Sequence, residues 1–336
     1  MIKRIGHTTI GFEELPVIIG YGSVVGKKEA EGPLKNYFDK LIFDSYAGKD
    51  SWEKAESLFQ EEAFSIALNR AQKTAEDIDC IFAGDLLNQC VSSSYSMRSF
   101  GIPYLGQYGA CSTMAQSLIM SAIMVESGMA NIAGCVTSSH FCTAERQYRF
   151  PLEYGGVRTP TAQWTVTGSG SCILSKAKKG ICIAKATVGT IVDYGITDVN
   201  NMGCAMAPAA ADTLIKFFRD TNTTPKDYDA IFTGDLGRLG SEMLYKLLES
   251  ENINIKDNHS DCGTMIFDLK KQDVHCGGSG CGCSASVLCS CIIKNMEHST
   301  YNNILFMATG ALMNPTTCFQ GESIPSIAHL VNIKIK

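Results

Sequence analysis

The chain has 336 residues, 45% hydrophobic and 19% charged, with a formal net charge of −5. That length exceeds one ordinary core and suits two α/β units sharing an interface. The negative balance, with no Lys/Arg run, excludes a nucleic-acid partner or an anionic membrane surface reached through a global field, so an anionic ligand has to be met by local donors.

Fifteen cysteines are scattered through apolar segments. With no secretory signal in Met1 to His7, they read as buried thiols of a reducing compartment and not as a disulfide framework. The most apolar stretch, Leu118 to Val136, is broken by Glu126, Ser127 and Gly128. It reads as a buried helix followed by a strand, and no transmembrane segment is expected. Any work at a membrane is then peripheral, through a partner.

In chain order, an amphipathic helix over Ala63 to Ala71 leads into Thr74-Ala75-Glu76-Asp77-Ile78-Asp79-Cys80-Ile81-Phe82-Ala83-Gly84-Asp85-Leu86. A second helix, Ala211 to Arg219, leads into Thr224 to Leu236, where eight of thirteen positions are identical at an offset of 150. Each copy reads as a short buried strand ending in Gly-Asp. In the first half Gly109-Ala110-Cys111-Ser112 opens a helix to about Ser127, followed by a strand over Ile132 to Thr137. In the second, Cys281-Gly282-Cys283-Ser284 opens a helix followed by a strand over Ile304 to Thr309. The offset is now 172, which predicts an insertion of about twenty residues near Glu249 to Asp273. Ligands of open α/β sheets bind beyond the carboxyl ends of the strands, where the Gly-Asp turns and cysteine-led helices belong.

Several segments are candidates for that edge. Cys111, at a helix start, feels the positive end of the helix dipole, which favours thiolate and an anion contact. It reads equally as a small residue in a tight turn. Gly277 to Gly282 is Gly-rich ahead of a helix and brings backbone N–H groups close to a ligand. It is neither a Walker loop nor a dinucleotide fingerprint. Cysteines 276, 281, 283, 289 and 291 lack the paired C-x2-C knuckles of a metal site, so no metal is expected. Thr167 to Leu174 reads as a turn into a closing strand, and Gly310 as a backbone donor beyond the last internal strand. The polar stretch after Ser138, with His140, Arg146 and Arg149, supplies the local cations for a carboxylate.

The duplicated halves, the Gly-Ala-Cys-Ser turn at 109–112 and the Gly-Cys-Ser-Ala-Ser-Val run at 282–287 resemble the thiolase fold, nearest the ketoacyl synthase III-type condensing enzymes. More narrowly, Gly20-Tyr21-Gly22-Ser23-Val24-Val25-Gly26 through Leu34, and Asp273 through Ser286, resemble the stage V sporulation protein AD family. The resemblance implies a layered αβαβα arrangement of two halves, 1–178 and 179–336, and a homodimer. Condensing enzymes use a Cys-His-Asn set. Cys111 matches the nucleophile, whereas Gly234 and Cys281 stand where the His and Asn belong. The usual Gly-Asp-Gly is altered to Gly168-Ser169-Gly170.

The resemblance therefore implies a non-enzymatic role without a cofactor: binding dipicolinic acid, with or without calcium, for its uptake into developing spores and its release at germination. The partners implied are the other stage V sporulation A proteins, and the place is the forespore, peripherally at the spore inner membrane. The residues expected around the ligand are Cys111, Ser112, Gly234, Gly280, Cys281, Gly282, Gly310, His140, Arg146 and Arg149. The competing expectation is an acyltransferase that uses Cys111 with a relocated base, His275 or His140. A third is a scaffold with a vestigial crevice.

Overall fold

A computed structural model describes residues 2–148 and 158–336. The first half supplies strands β1 (Ile2–Ile5), β2 (Thr9–Phe12), β3 (Val17–Val25), β4 (Lys40–Leu41), β5 (Cys80–Gly84), β6 (Tyr104–Gly106), β7 (Ile132–Ser139), β8 (Trp164–Thr165) and β9 (Gly168–Ser175). Its helices are α1 (Lys27–Ala30), α2 (Trp52–Ala71), α3 (Val91–Met97), α4 (Thr113–Ser127) and α5 (Phe141–Tyr148). The second supplies β10 (Ile181–Thr187), β11 (Ala230–Thr233), β12 (His259–Asp261), β13 (Gly278–Ser279), β14 (Asn303–Ala311) and β15 (Ser326–Ile335). Its helices are α6 (Met202–Thr221), α7 (Gly237–Glu249), α8 (Cys262–Ile266), α9 (Cys281–Val287), α10 (Ile293–Glu297) and α11 (Pro315–Phe319), with a π-helical turn, Leu288–Ile292, after α9.

The duplication is written into the sheet. Its long path runs β12-β11-β14-β15-β10-β3-β9-β7-β5-β6. Outward from the centre, one half reads β3-β9-β7-β5-β6 and the other β10-β15-β14-β11-β12. The sense of pairing also repeats: β5 is parallel to β6 and β7 as β11 is to β12 and β14, while β9 and β15 run antiparallel to their neighbours. The central seam, β3 to β10, is a single antiparallel pair, Val17 with Cys182. The β1–β2 hairpin reaches across it, pairing Thr9, Ile10 and Gly11 of β2 with β10.

The identical positions of the repeat have structural reasons. Thr74 and Asp77 form a capping box, the Thr74 N–H donating to Asp77 Oδ2 at 2.8 Å, and Thr224 and Asp227 do the same at 2.7 Å. Asp79 then accepts from the N–H groups of Asn131 and Ile132, as Asp229 does from Asn302 and Asn303, tying each first strand to the next. Ile81, Phe82, Ile231 and Phe232 are core residues. Helices α4 and α9 meet in the middle of the molecule, their Met114, Ala115 and Leu118 sharing one apolar core with Ala285 and Val287.

Three expectations of local structure change. Most of the insertion falls between Asp261 and Cys281, where it carries α8 and β13, later than the 249–273 segment. Gly168 to Ser175 is itself the strand β9, because small residues let it pack against α9: a Cβ at Gly170 would lie 2.2 Å from the Ala285 carbonyl oxygen. Gly310 likewise lies inside β14, paired with Ile327, not beyond its end.

Candidate functional site

Cys111 sits where the tight turn Gly109–Ser112 feeds α4. Ala110 adopts φ 49, and the Ser112 hydroxyl donates to the Gly109 carbonyl at 2.6 Å. Gly310 makes room for this turn from the facing strand, since a Cβ there would stand 2.3 Å from Gly109 O. Gly310→Ala is therefore expected to cost about 2 kcal/mol or more. A denaturant midpoint equal to that of the unsubstituted protein would show that the turn yields freely.

Opposite the thiol stand Cys281, at the start of α9, and Asp235, just past β11. Asp235 is fully buried. Its Oδ2 accepts from Gly280 N at 2.8 Å and the Ser279 hydroxyl at 3.3 Å, its Oδ1 from Thr309 Oγ1 at 2.9 Å, and it lies beside Cys111. Burial lifts its pKa to about 7. The Cys111 thiol is pushed well above its ordinary value, first by burial and then by the charges of Asp235 and Cys281. This reverses the expectation of a thiolate favoured by the helix start. Low-dielectric surroundings and a nearby carboxylate outweigh the dipole of α4.

The other expected residues are placed as follows. Cys281 donates its thiol hydrogen to Ser138 O at 2.9 Å. A side chain at 234 would point into packed core, its Cβ 3.1 Å from Ala308 Cα and 3.3 Å from Ser284 Cβ, so the residue at this strand end that faces Cys111 is Asp235 and not Gly234. The backbone N–H groups expected to meet a ligand are spent inside the protein, Gly280 on Asp235 and Gly282 on Ser139 Oγ. Gly280 (φ +101) and Gly282 serve close packing instead, because a Cβ at 282 would lie 2.4 Å from Gly168 O.

His140 and the arginines do not join this cluster. His140 Nδ1 accepts from Cys142 N and its Nε2 donates to Ser45 O at 2.9 Å, which commits both nitrogens. Burial lowers its pKa to about 4. Arg146 pairs with Glu53 and lies half-exposed over Trp52. Arg149 lies outside the described residues. His275 pairs with Asp273 at 3.0 Å, and neither it nor His140 lines the cavity beside Cys111.

That cavity has apolar walls, Leu86, Ala110, Ala144, Met202, Ala311 and Met313, and polar lining from Cys111, Glu145, Tyr148, Thr165 and Ser279. Its volume is about 40 Å³, room for a few waters and not for a six-membered ring. Tyr148 helps close it, donating to Leu86 O at 2.6 Å. Its buried acid, Glu145, accepts from Thr165 Oγ1 at 3.3 Å. No cation lines it among the described residues. The flat dianion expected here thus meets a narrow space with an acid in its wall.

Asp235 and Glu145 were not among the residues expected at the site. The repeated Gly-Asp pair was the signal for Asp235; nothing in sequence marks Glu145. A second buried acid cluster lies behind α5. The Glu56 carboxylate accepts from Ser138 Oγ at 2.9 Å and Thr143 Oγ1 at 2.7 Å, and its neighbour Asp85 accepts from Ser93 N and Oγ. Among the described residues no group of three or more His, Cys, Asp or Glu side chains could hold a metal ion, and no helix is long and apolar enough to cross a membrane.

The sheet path, its duplication and the paired central helices define a thiolase-like protein. The fold is shared with 3-oxoacyl-[acyl-carrier-protein] synthase III from Aquifex aeolicus (TM-score 0.59, 11% identity, covering 95% of this chain and 99% of that one). It is also shared with cerulenin-bound OleA of Xanthomonas campestris (TM-score 0.61, 14% identity, covering 99% and 100%). At these identities the likeness speaks for the fold alone.

The profile of the stage V sporulation protein AD (SpoVAD) family matches residues 6–334. Stage V sporulation protein AD of Bacillus subtilis (strain 168) is 44% identical over 328 residues, 98% of this chain and 97% of that protein. This chain belongs to the stage V sporulation protein AD family and is a sporulation protein.

Proposed function

We propose that the chain is a non-catalytic member of the thiolase-like fold that binds dipicolinic acid, pyridine-2,6-dicarboxylate, for uptake into the developing spore. What supports the non-catalytic part is the fully buried Asp235 carboxyl beside the buried Cys111 thiol. A nucleophilic cysteine needs a base or cation that draws off its proton, whereas a carboxylate in a dry site holds the proton on sulfur. Carbonyl chemistry also needs neutral donors aimed at a developing oxyanion. By the family resemblance, Gly234 and Cys281 take the positions where condensing enzymes carry His and Asn.

Dipicolinic acid as ligand follows from the family resemblance. So do the forespore, peripherally at the spore inner membrane, as location, the other stage V sporulation A proteins as partners, and a homodimer. Titration calorimetry of the full chain with dipicolinate, with and without calcium, is expected to give saturable heats. Absence of heat under both conditions overturns the ligand assignment. Incubation with acyl thioesters of several lengths is expected to leave the intact mass unchanged. An acyl adduct mapped to Cys111 would establish the competing acyltransferase.

A further inference from the structure

Helix α2 carries an acid, Glu56, that is 1% exposed and takes no part in the cluster around Cys111. An unbroken run of hydrogen bonds leads from it to a second buried acid. Ser138 Oγ donates to Glu56 Oε1 at 2.9 Å and accepts from Gln60 Nε2 at 2.7 Å. The same amide nitrogen donates to Ser93 Oγ at 2.9 Å, and Ser93 Oγ donates to Asp85 Oδ2 at 2.6 Å. Two carboxyl groups in one dry network do not both ionise without a large cost.

The donor count decides which of them holds a proton. Asp85 accepts three hydrogen bonds, from Leu87 N, Ser93 N and Ser93 Oγ, the pattern of an ionised carboxylate. Glu56 is different. Its Oε2 lies 2.7 Å from Thr143 Oγ1, and that hydroxyl also lies 3.0 Å from His140 O. Thr143 has a single hydrogen to give, so beside a carboxylate it serves only one of the two acceptors. With a proton on Glu56 Oε2 the sense of that bond reverses. Glu56 then donates to Thr143, Thr143 donates on to His140 O, and both contacts are made. Burial first, and the charge of Asp85 next, favour the same assignment by lifting the Glu56 pKa to about 8.

The place of Thr143 gives that proton a mechanical consequence. Thr143 belongs to α5, whose Ala144, Glu145 and Tyr148 wall the cavity beside Cys111. The far end of the helix is tied to the same network, since Tyr148 donates to Leu86 O at 2.6 Å and Leu86 directly follows Asp85. Losing the Glu56 proton puts a second charge near Asp85, under the helix that narrows the cavity. Its neighbours do not offset it. Strands β3, β7 and β9 and helix α3, all packed on α2, carry no Asp, Glu, Lys, Arg or His. Cys90, ahead of α3, and Cys281, at the start of α9, are thiols whose pKa burial raises. On α5, His140 is neutral near pH 7, Glu145 is itself an acid, and Arg146 is taken by Glu53.

We propose that the Glu56 proton is a pH-sensitive latch. While it is in place α5 stays docked on α2 and the cavity beside Cys111 stays narrow; its loss as pH rises lets α5 lift and admits small molecules to the thiol. The latch goes beyond the binding role proposed above and does not depend on which ligand the chain takes.

The sign follows from linkage. Once α5 lifts, Glu56 meets water and regains an ordinary carboxyl pKa near 4.3. Between that value and about 8 the open state releases a proton that the closed state keeps. Opening therefore becomes easier by up to about ten-fold per pH unit, and levels off above.

Hydrogen exchange of the full chain, corrected for intrinsic rates, tests this. From pH 7 to 8 the protection of α5 should fall about five-fold. In Glu56→Gln, whose amide copies the neutral acid, it should stay level. Thr143→Val, which cuts the tie to α5, should lower protection at pH 7 by about five-fold, as the loss of one hydrogen bond implies. At pH 8 iodoacetamide should reach Cys111 more slowly in Glu56→Gln than in the unsubstituted protein.

Protection of α5 that does not fall with pH, or falls equally in Glu56→Gln, overturns the latch. So does protection of α5 equal to that of the core helix α4, because α5 would then open only with the whole fold. A Cys111 rate that is the same in both proteins overturns the gating of the cavity. Should Glu56→Gln fail to fold, the pH series on the unsubstituted chain and the Thr143→Val comparison still decide.

Discussion

Asp235→Asn is expected to turn Cys111 from an inert thiol into a reactive one. In the native protein burial and the Asp235 carboxylate both hold the proton on sulfur. The asparagine removes the charge at nearly constant volume, leaving burial alone to oppose ionisation while the start of α4 favours it. One pKa unit is a ten-fold change in thiolate, so alkylation by iodoacetamide near pH 7.5 should rise about ten-fold or more. Peptide mass spectrometry reads the rate at Cys111 against Cys318, which is only partly buried and serves as an internal reference. The substitution should also cost roughly 1–3 kcal/mol, because an amide nitrogen then faces donors such as Gly280 N or Thr309 Oγ1. A Cys111 rate that does not move would show that burial alone silences the thiol, and would remove Asp235 from the account.

The second large effect is on stability against pH. Glu29 and Asp235 are held near 7 and Asp261 near 6 by burial. Glu56, with Asp85 beside it, is raised as well, again by burial first. For each of these acids the folded state keeps a proton that the unfolded chain releases above about pH 4. Folding stability therefore declines as pH rises from there through the folded values, and levels off beyond them. His140, His259 and His329 act in the opposite direction. Burial lowers each to about 4, so the folded state loses stability as pH falls below about 6.5, where the unfolded imidazoles protonate.

The range from pH 6.5 to 7.5 is the cleanest, since the unfolded histidines finish losing their protons there and the unfolded thiols have barely begun to lose theirs. Between pH 6.5 and 7.5 the acids together should remove about 3 kcal/mol, of which the histidines return roughly 1, lowering the melting temperature by about 3 °C for a chain of this size. Glu56→Gln, which keeps the shape of the protonated acid between Ser138 and Thr143, should remove a large share of that slope. Calorimetric melts at matched ionic strength give the comparison. A melting temperature that is flat or rises over this range would mean that these carboxyls ionise without cost.

The fold was legible in sequence because the same physical jobs are done twice. The Thr and Asp of each capping box and the Asp that ties neighbouring strands are local devices, readable at a fixed offset without knowing the tertiary structure. The site was harder. Cys111 stands out in sequence, and the structure does seat it at a helix start, but its protonation is decided by Asp235, which lies 124 residues further on. Gly234 and Asp235 are adjacent, and only the direction of the strand end decides which of them faces the thiol. The glycines of 277–282 looked like ligand donors, whereas backbone approach to Asp235, Ser139 and Gly168 is what demands them. Arg146 was placed at the site on charge alone, and Glu53, far away in sequence, claims it.

The crossing of the β1–β2 hairpin has a consequence for synthesis. Thr9, Ile10 and Gly11 find their ladder partners in Thr187, Ala186 and Lys185, and the Thr9 hydroxyl meets that of Thr187 at 2.7 Å in the core. On the ribosome the hairpin emerges well ahead of β10 and has nothing to add itself to until that strand has been made. A two-stranded ribbon alone is marginal in water, so the hairpin stays unlatched while the segments between β2 and β10 are made. It latches only when the later half arrives, which makes this early hairpin one of the last parts to become ordered.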